Sequence, residues 1–555
     1  MTSERLAGIG GWYLRAGLFV LPLAYSWNTY DHYIVPKLLV ARLLVVGLLF
    51  LSIARALMAR SLVLKRTPLD WPLLAFVASA ALSTLFAENL NVAVFGIYSR
   101  YDGLLTILTY AALLWLSVQT LRGPADARKL LWVLLASGYL VAAIAIVQSV
   151  KDSLTLGVFV PASGTLGQKN VLGAFLALIC PLAYGELVAA RSWGARLLAA
   201  NALTVYGLAL FLSFSRSAWV AVALAAIVVG VGVRGHGLRI AIGSVAGIVL
   251  LTIAIALLAQ AGGLQPQRAD LGEFGDRPAV YMDSLRLIAS RPLAGYGPDN
   301  FGLVFPLFES TDLHQQWDKA HAETLQIAAT QGVVGLVAYL FILVAFVRAF
   351  WRGRRNLGAF AVFAGWVGYT ATLQVNFSAP AAAFPFWIFA AAAMEIWGAT
   401  RTAQVAAWPD GRRLAAAGSI VAAGVMIVIA AASFLPYIAD ARVLEAVNAD
   451  FAGRNRDALA PAQQATRLWP RESVYAVEVG NVAFERQDWE LAREAYVEAA
   501  RLGTYNPLVY RNLAVADRNL GRIGEGRDAA RKAVELNRFD SANQALLAQL
   551  EAAQP

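Results

Sequence analysis

The sequence predicts an all-α protein: a polytopic membrane domain of about 13 transmembrane helices, then a soluble C-terminal helical-repeat domain. Three observations predict it. Of 555 residues, 59% are hydrophobic and 15% charged, where a soluble domain carries about a quarter charged residues; the mean hydropathy is +0.57. Apolar runs of roughly 20 residues, long enough to cross a bilayer, recur between short charged loops. From Asp440 onward the chain turns charged and Ala-rich, and Ala465, Ala499 and Ala533 recur every 34 residues, as do Leu468, Leu502 and Leu536.

Taken in order, the expected spans are 9–27, 34–57, 69–87, 103–121, 130–149, 169–189, 197–214, 217–233, 238–260, 322–347, 357–377, 384–400 and 414–433. The N-terminal run shows no cleavage site and leads into a second apolar run, so it reads as the first span rather than a signal peptide. The loops then fall into two alternating sets. "RSLVLKR", "LRGPADARK", "RSWGAR", "RGHGLR", "RAFWRGRR" and "RTAQVAAWPDGRR" are all basic. "NTYDHY", "AENLNVAVFGIYSRYDG", "KDSLTLGVFVPASGTLGQKN", the segment 261–320 and the tail are nearer neutral or acidic. Basic loops face the cytoplasm, which places Met1 inside and, with an odd span count, the C-terminus outside. The net charge of +10 is accounted for by these loops and requires no nucleic-acid partner. The lone Cys180 lies within an apolar run and reads as packing; it excludes a disulfide framework and a cysteine metal site.

The organisation is thus 1–435, a membrane domain that includes the outer loop 261–320, and 436–555, an extracytoplasmic repeat domain. In the loop, "DRPAVYMDSLRLIASRP" predicts an amphipathic helix near the membrane surface, with Asp276 or Arg277 at its N-cap, Pro278 in the first turn, and Tyr281, Leu285 and Ile288 on one face. "RPLAGYGPDNFG" then breaks it, with Gly295 and Gly297 shaping a turn that Asp299 and Asn300 cap. In the tail, "ATRLWP", "AARLGTYNP" and "AVELNRFD" are three versions of one helix end, and the period is that of tetratricopeptide helix pairs.

A charge near hydrocarbon is costly and marks function by default. Most basic residues sit in cytoplasmic loops; the exceptions gather on the other face. Arg216 lies in a tight outer hairpin, Arg277 opens the loop helix and His321 opens the next span. Guanidinium forks grip phosphate oxygens, and a neutral imidazole accepts a proton from a hydroxyl. The set suits attack of a sugar hydroxyl on a carbon whose leaving group is a phosphate, with Arg216 and Arg277 on the diphosphate and His321 as base. Each also has a bland reading: Arg216 as a snorkelling residue, Arg277 as a surface arginine, His321 as a cap. Arg100, Asp102, Gln168, Lys169, Asn170 and Glu323 are secondary candidates. Tyr98, Tyr101 and Trp317 read as sugar platforms or, preferentially, as the interfacial aromatic belt. His32, His236 and His314 are weaker candidates.

These residues carry a resemblance. The chain over roughly 10–435 resembles the O-antigen ligase and Wzy-type polymerase superfamily in four segments: "FGIYSRYDGLLTIL", "GTLGQKNVLGAFLAL", "LSFSRSAWVA", and "DRPAVYMDSLRLIASRPLAGYGPDNF" followed by "HAETLQIAATQGVVGL". The resemblance implies a GT-C-type glycosyltransferase of the bacterial inner membrane. It implies a polyprenyl-diphosphate-linked glycan donor, a glycolipid, glycan or protein acceptor, and no cofactor or metal. It carries the donor-diphosphate role to Arg216 and Arg277 and the base role to His321. The family often places Asn after the histidine; here Ala322 and then Glu323 follow, and Glu323 is expected either to orient the imidazole or to cap the helix.

A ligase and a polymerase share this chemistry and differ in the acceptor. The tail tips the reading toward a ligase, since repeat surfaces recruit proteins. A lipid transporter predicts midplane charges and inverted repeats, which the spans do not show. A tethered repeat scaffold leaves the outer arginines and His321 without a role.

Overall fold

A computed structural model describes residues 2–232, 269–313, 316–354, 356–407 and 412–553. The expected span 238–260 and the candidates His236 and His314 lie outside the described residues. The helices in order are α1 (Ser3–Val20), α2 (Ile34–Ala59), α3 (Asp70–Leu85), α4 (Leu90–Phe95), α5 (Leu104–Thr120), α6 (Pro124–Leu156), α7 (Lys169–Ala189), α8 (Trp193–Leu212) and α9 (Arg216–Gly232). They continue as α10 (Ala269–Ser290), α11 (Glu323–Gly353), α12 (Leu357–Leu373), α13 (Pro380–Ile396) and α14 (Arg412–Phe451). The tail adds α15 (Asn455–Leu468), α16 (Ser473–Glu485), α17 (Trp489–Leu502), α18 (Pro507–Asn519), α19 (Ile523–Leu536) and α20 (Ser541–Ala552).

Among the described residues six helices are long and apolar enough to cross a membrane: α2, α6, α7, α8, α11 and the stretch Ala417–Phe451 of α14. Shorter apolar helices, α3, α5, α9, α12 and α13, stand among them. The protein is a helical membrane protein. Helices apolar all round are buried by others, and α7 and α13 are the innermost: Phe175 to Ile179 and Ile388 to Met394 have no exposed surface. Local chemistry sets the ends. Pro124 starts α6 where its missing N–H costs nothing, and Gly157 stops it in the left-handed conformation.

Two basic segments that read as loops are strands. β1 (Ser61–Arg66) and β2 (Arg401–Ala407) pair antiparallel, Arg66 opposite Arg401. Gln119 braces β1 by accepting from the Lys65 N–H at 2.8 Å and donating to its carbonyl at 2.9 Å. The pairing joins segments more than 300 residues apart, which local periodicity does not encode.

The loop helix differs from expectation. α10 begins at Ala269, so Pro278 lies within it rather than in its first turn. Its buried face is Val280, Ser284 and Leu287, while Leu285 is half exposed. α11 is broken at Gly332, whose φ of 67° leaves the helical region. There its neighbour Val333 donates to Pro292 O and Gly297 donates to Thr330 O. A Cβ on Gly332 would lie 2.1 Å from Leu293 O, so the break exists to admit the "RPLAGYG" turn.

The boundary expected at 435/436 falls inside one continuous helix: α14 runs on to Phe451 and packs on α2 and α15. The tail helices begin at 455, 489 and 523, and at 473, 507 and 541, so both helices of each pair repeat every 34 residues. Ala465, Ala499 and Ala533 are wholly buried. Asp440 ties the parts together, accepting from Asp31 N–H at 2.8 Å, Tyr98 O–H at 2.6 Å and Tyr475 O–H at 3.0 Å. Asp440→Ala strands three buried donors. It is expected to cost on the order of 3 kcal/mol, read as earlier thermal unfolding and faster proteolysis of the tail.

Candidate functional site

Among the described residues, five of the seven non-glycine residues with positive φ are Ser99, Tyr101, Phe214, Asp299 and His321, all outside the helices. Such conformations cost about 1–3 kcal/mol each and concentrate at functional sites. Among the residues in this strained conformation is the candidate base His321.

His321 (φ 50°) is 7% exposed. Its ring lies edge-on between Trp317, at 4.7 Å between centroids, and Phe377, at 5.0 Å. Nδ1 is buried without a hydrogen-bond partner. Burial, then the positive charges of Arg277, Arg100 and Lys319, push the imidazole down to about 3. It is therefore neutral at physiological pH, the state a base requires. The sign for stability follows. Above pH 6.5 the ring is neutral folded and unfolded. Below it the unfolded chain alone takes the proton, so stability falls by about 1.4 kcal/mol per unit as pH drops from 6.5 toward 3. His321→Gln is expected to remove that loss, gaining about 2 kcal/mol relative to the wild type between pH 7.5 and pH 5, measured as thermal unfolding in detergent at both pH values.

Arg277 Nη1 donates to Val375 O at 2.7 Å. Tyr281, one turn on, hydrogen-bonds with Arg277 and donates to His321 O at 3.1 Å. Arg277 and His321 are thus held against common neighbours. The link between α12 and α13 organises the site. Val375 O takes Arg277, and Asn376 Nδ2 donates to Ser217 Oγ at 2.7 Å. Phe377 flanks His321, and Ser378 N–H donates to Glu323 Oε2 at 2.8 Å.

Arg216 is exposed at the first position of α9, beside Ser217. Its neighbour Ser217 accepts from Asn376, in the same link whose Val375 carbonyl takes Arg277. Lys169 and Asn170 open α7, whose Gly173 packs so closely on Ser215 that a Cβ would lie 2.7 Å from Oγ.

The secondary candidates divide. Arg100 is held by Asp318, Nε to Oδ2 at 2.5 Å, and lies 4.9 Å over Phe377. Asp102 belongs to a buried trio: Lys319 Nζ lies 2.8 Å from Asp102 and 2.7 Å from Asp299. Burial works against the Lys319 charge, but the two carboxylates outweigh it and raise its pKa, so the ammonium persists. Asp299 also accepts from Ile97 and Asp102 N–H groups; it braces the loop rather than capping a turn. Glu323 faces Ser378 and does not orient the imidazole. Tyr98 and Tyr101 are part of the packed interior, not sugar platforms.

Two cavities adjoin the residues around His321, and neither has Arg216, Arg277 or His321 among its described lining residues. A cavity of about 90 Å³ lies behind Phe377, lined by Asp102, Tyr110, Lys319, Glu323 and Gln326 among others. Phe377 lines it and also flanks His321. A second hollow, about 480 Å³, opens between the loop and the tail, with Glu309, Asp312, Trp317, Leu508, Phe539 and Asp540 in its walls. Sequence reasoning missed Val375–Ser378, Lys319 and Asp299. The one signal for the link was two polar residues, Asn376 and Ser378, at the end of an apolar run.

No curated protein matches the chain. One solved structure, described as "Crystal structure of APC/C hetero-tetramer Cut9-Hcn1", is 13% identical and covers 85% of this chain and 98% of that chain. Its TM-score of 0.20 is too low for the likeness to carry an argument. A family model described as O-Antigen ligase matches residues 200–340, from within α8 into the part of α11 beyond its break. Arg216, Arg277 and His321 all lie within the segment that matches the O-Antigen ligase family model.

Proposed function

We propose that the protein is a metal-independent, inverting glycosyltransferase of the bacterial inner membrane, moving a glycan from a polyprenyl diphosphate to an acceptor hydroxyl on the extracytoplasmic face. One observation carries the reading: within the matched segment, Arg277 and a neutral, buried His321 share Tyr281 as a neighbour. The donor diphosphate lies on the open face between Arg216 and Arg277, over Val375 and Asn376. The acceptor oxygen attacks the anomeric carbon and gives its proton to His321, and the bond to the diphosphate oxygen breaks with its charge on the guanidiniums. The diphosphate offsets the Arg277 charge and moves the imidazole pKa back up, so donor binding makes His321 a stronger base.

The hollow beside Trp317 is the acceptor's approach. Glu309, Asp312 and Asp540 in its wall repel the anionic donor and leave room for a neutral or cationic acceptor. The tail sits on this face: Asn91 Nδ2 donates to Leu502 O at 3.0 Å and Gln316 Nε2 to Tyr505 O at 3.4 Å. This supports an extracytoplasmic, tetratricopeptide-like tail, about 13 spans with the N-terminus inside, and a ligase in preference to a polymerase. The test is turnover by the purified protein in nanodiscs. A lipid-diphosphate glycan should yield free polyprenyl diphosphate and glycosylated acceptor. Movement of intact lipid, or no reaction with any acceptor, refutes it.

A further inference from the structure

At the opposite end of α11 from His321 a hollow of about 710 Å³ carries Arg66, Arg348, Arg352 and Arg401 in its lining, together with Thr67 and Asn356. Among the described residues no acidic side chain lines it. The arrangement has a cost. Arg66 and Arg401 are directly opposed in the strand ladder, and like charges in that position destabilise a sheet. Arg348 and Arg352 stand four apart on one helix, which also repels. Asp70 approaches Arg66 only at 3.6 Å, and the Arg66 side chain is itself exposed. The adjacent Lys65 shows the contrast: it is matched by the buried Glu395 at 2.5 Å.

We propose that this hollow binds the headgroup of a lipid bearing two phosphates. An anion placed between the two arginine pairs removes both repulsions at once, and each pair offers a fork-shaped grip on one phosphate. The lipid source follows from position and walls. From Gly332 to Gly353 α11 rises about 30 Å, the thickness of the hydrocarbon core. The hollow therefore opens at headgroup level on the face away from His321. Ile396, Trp397 and Ala349 supply an apolar wall beside the arginines, as a lipid requires and a soluble phosphate does not. Basic pockets between helices at this level hold anionic headgroups.

The full-length protein, stripped of lipid in detergent, is titrated with cardiolipin, phosphatidylglycerol or sodium pyrophosphate and read by native mass spectrometry. Cardiolipin is expected to bind more tightly than phosphatidylglycerol, and pyrophosphate to compete poorly. Arg348→Gln/Arg352→Gln should weaken cardiolipin binding by roughly 30-fold, while Arg191→Gln, in a different basic loop, leaves it unchanged. The arginine variants should unfold no earlier than the wild type without lipid, because repulsion is removed; Arg401→Gln provides a second, separate probe. Unchanged cardiolipin binding in both variants overturns the site. Pyrophosphate competing as well as cardiolipin overturns the lipid assignment.

Discussion

His321→Ala is expected to insert and fold, bind donor as the wild type does, and transfer glycan about 10²–10⁴ times more slowly. Cells carrying it should accumulate unconsumed lipid-linked glycan. The magnitude follows from the ring's surroundings. The imidazole is neutral because burial and three cations exclude its charge, and Trp317 and Phe377 fix its plane. Glu323 is turned to the Ser378 N–H and offers no substitute next to the ring. His321→Asn is the companion variant, since asparagine tolerates the left-handed backbone held at this position; it separates loss of the base from loss of the loop. A base predicts that the acid limb of the pH profile vanishes in both variants while donor affinity stays. A positioning role predicts that affinity falls and the pH profile keeps its shape. Normal turnover in both variants removes His321 from the mechanism.

The membrane helices were legible because hydropathy acts over 20 residues at a time; α7 spans the expected 169–189. The tail's period was legible because each helix pair buries the same alanine. What local pattern could not supply was pairing across the chain. β1 and β2 meet only after the bundle has formed. Lys319 read as part of a charged run leading into a span, yet it is 2% exposed, because Asp102 arrives from a segment far along the chain and Asp299 from the preceding turn. The break at Gly332 is invisible in an apolar stretch; it follows from the approach of the "RPLAGYG" turn. Arg277 and His321 were singled out by charge type and motif order, whereas the link Val375–Ser378, which contacts Arg277, His321 and Ser217, carries no charge to find.

Arg277→Ala is expected to lower kcat/KM for the donor by about 10²–10³ with the fold intact, since the change removes hydrogen bonds at the end of the bundle, among them those to Val375 O and Tyr281, and no core packing. Arg277→Lys should recover only part, because a point charge replaces a planar fork on the diphosphate. A second readout separates binding from general disruption. Arg277 is the foremost of the charges that depress the imidazole, so its removal should raise the His321 pKa, and lysine should largely restore the depression. Nitrogen NMR of labelled histidine follows this directly. In the wild type, added donor should move the same resonance in the same direction, because the bound diphosphate cancels the charge that alanine deletes. If alanine raises the pKa and donor turnover survives, the diphosphate rests on Arg216 and Lys169 at the start of α9 and α7, and Arg277 serves to tune the base.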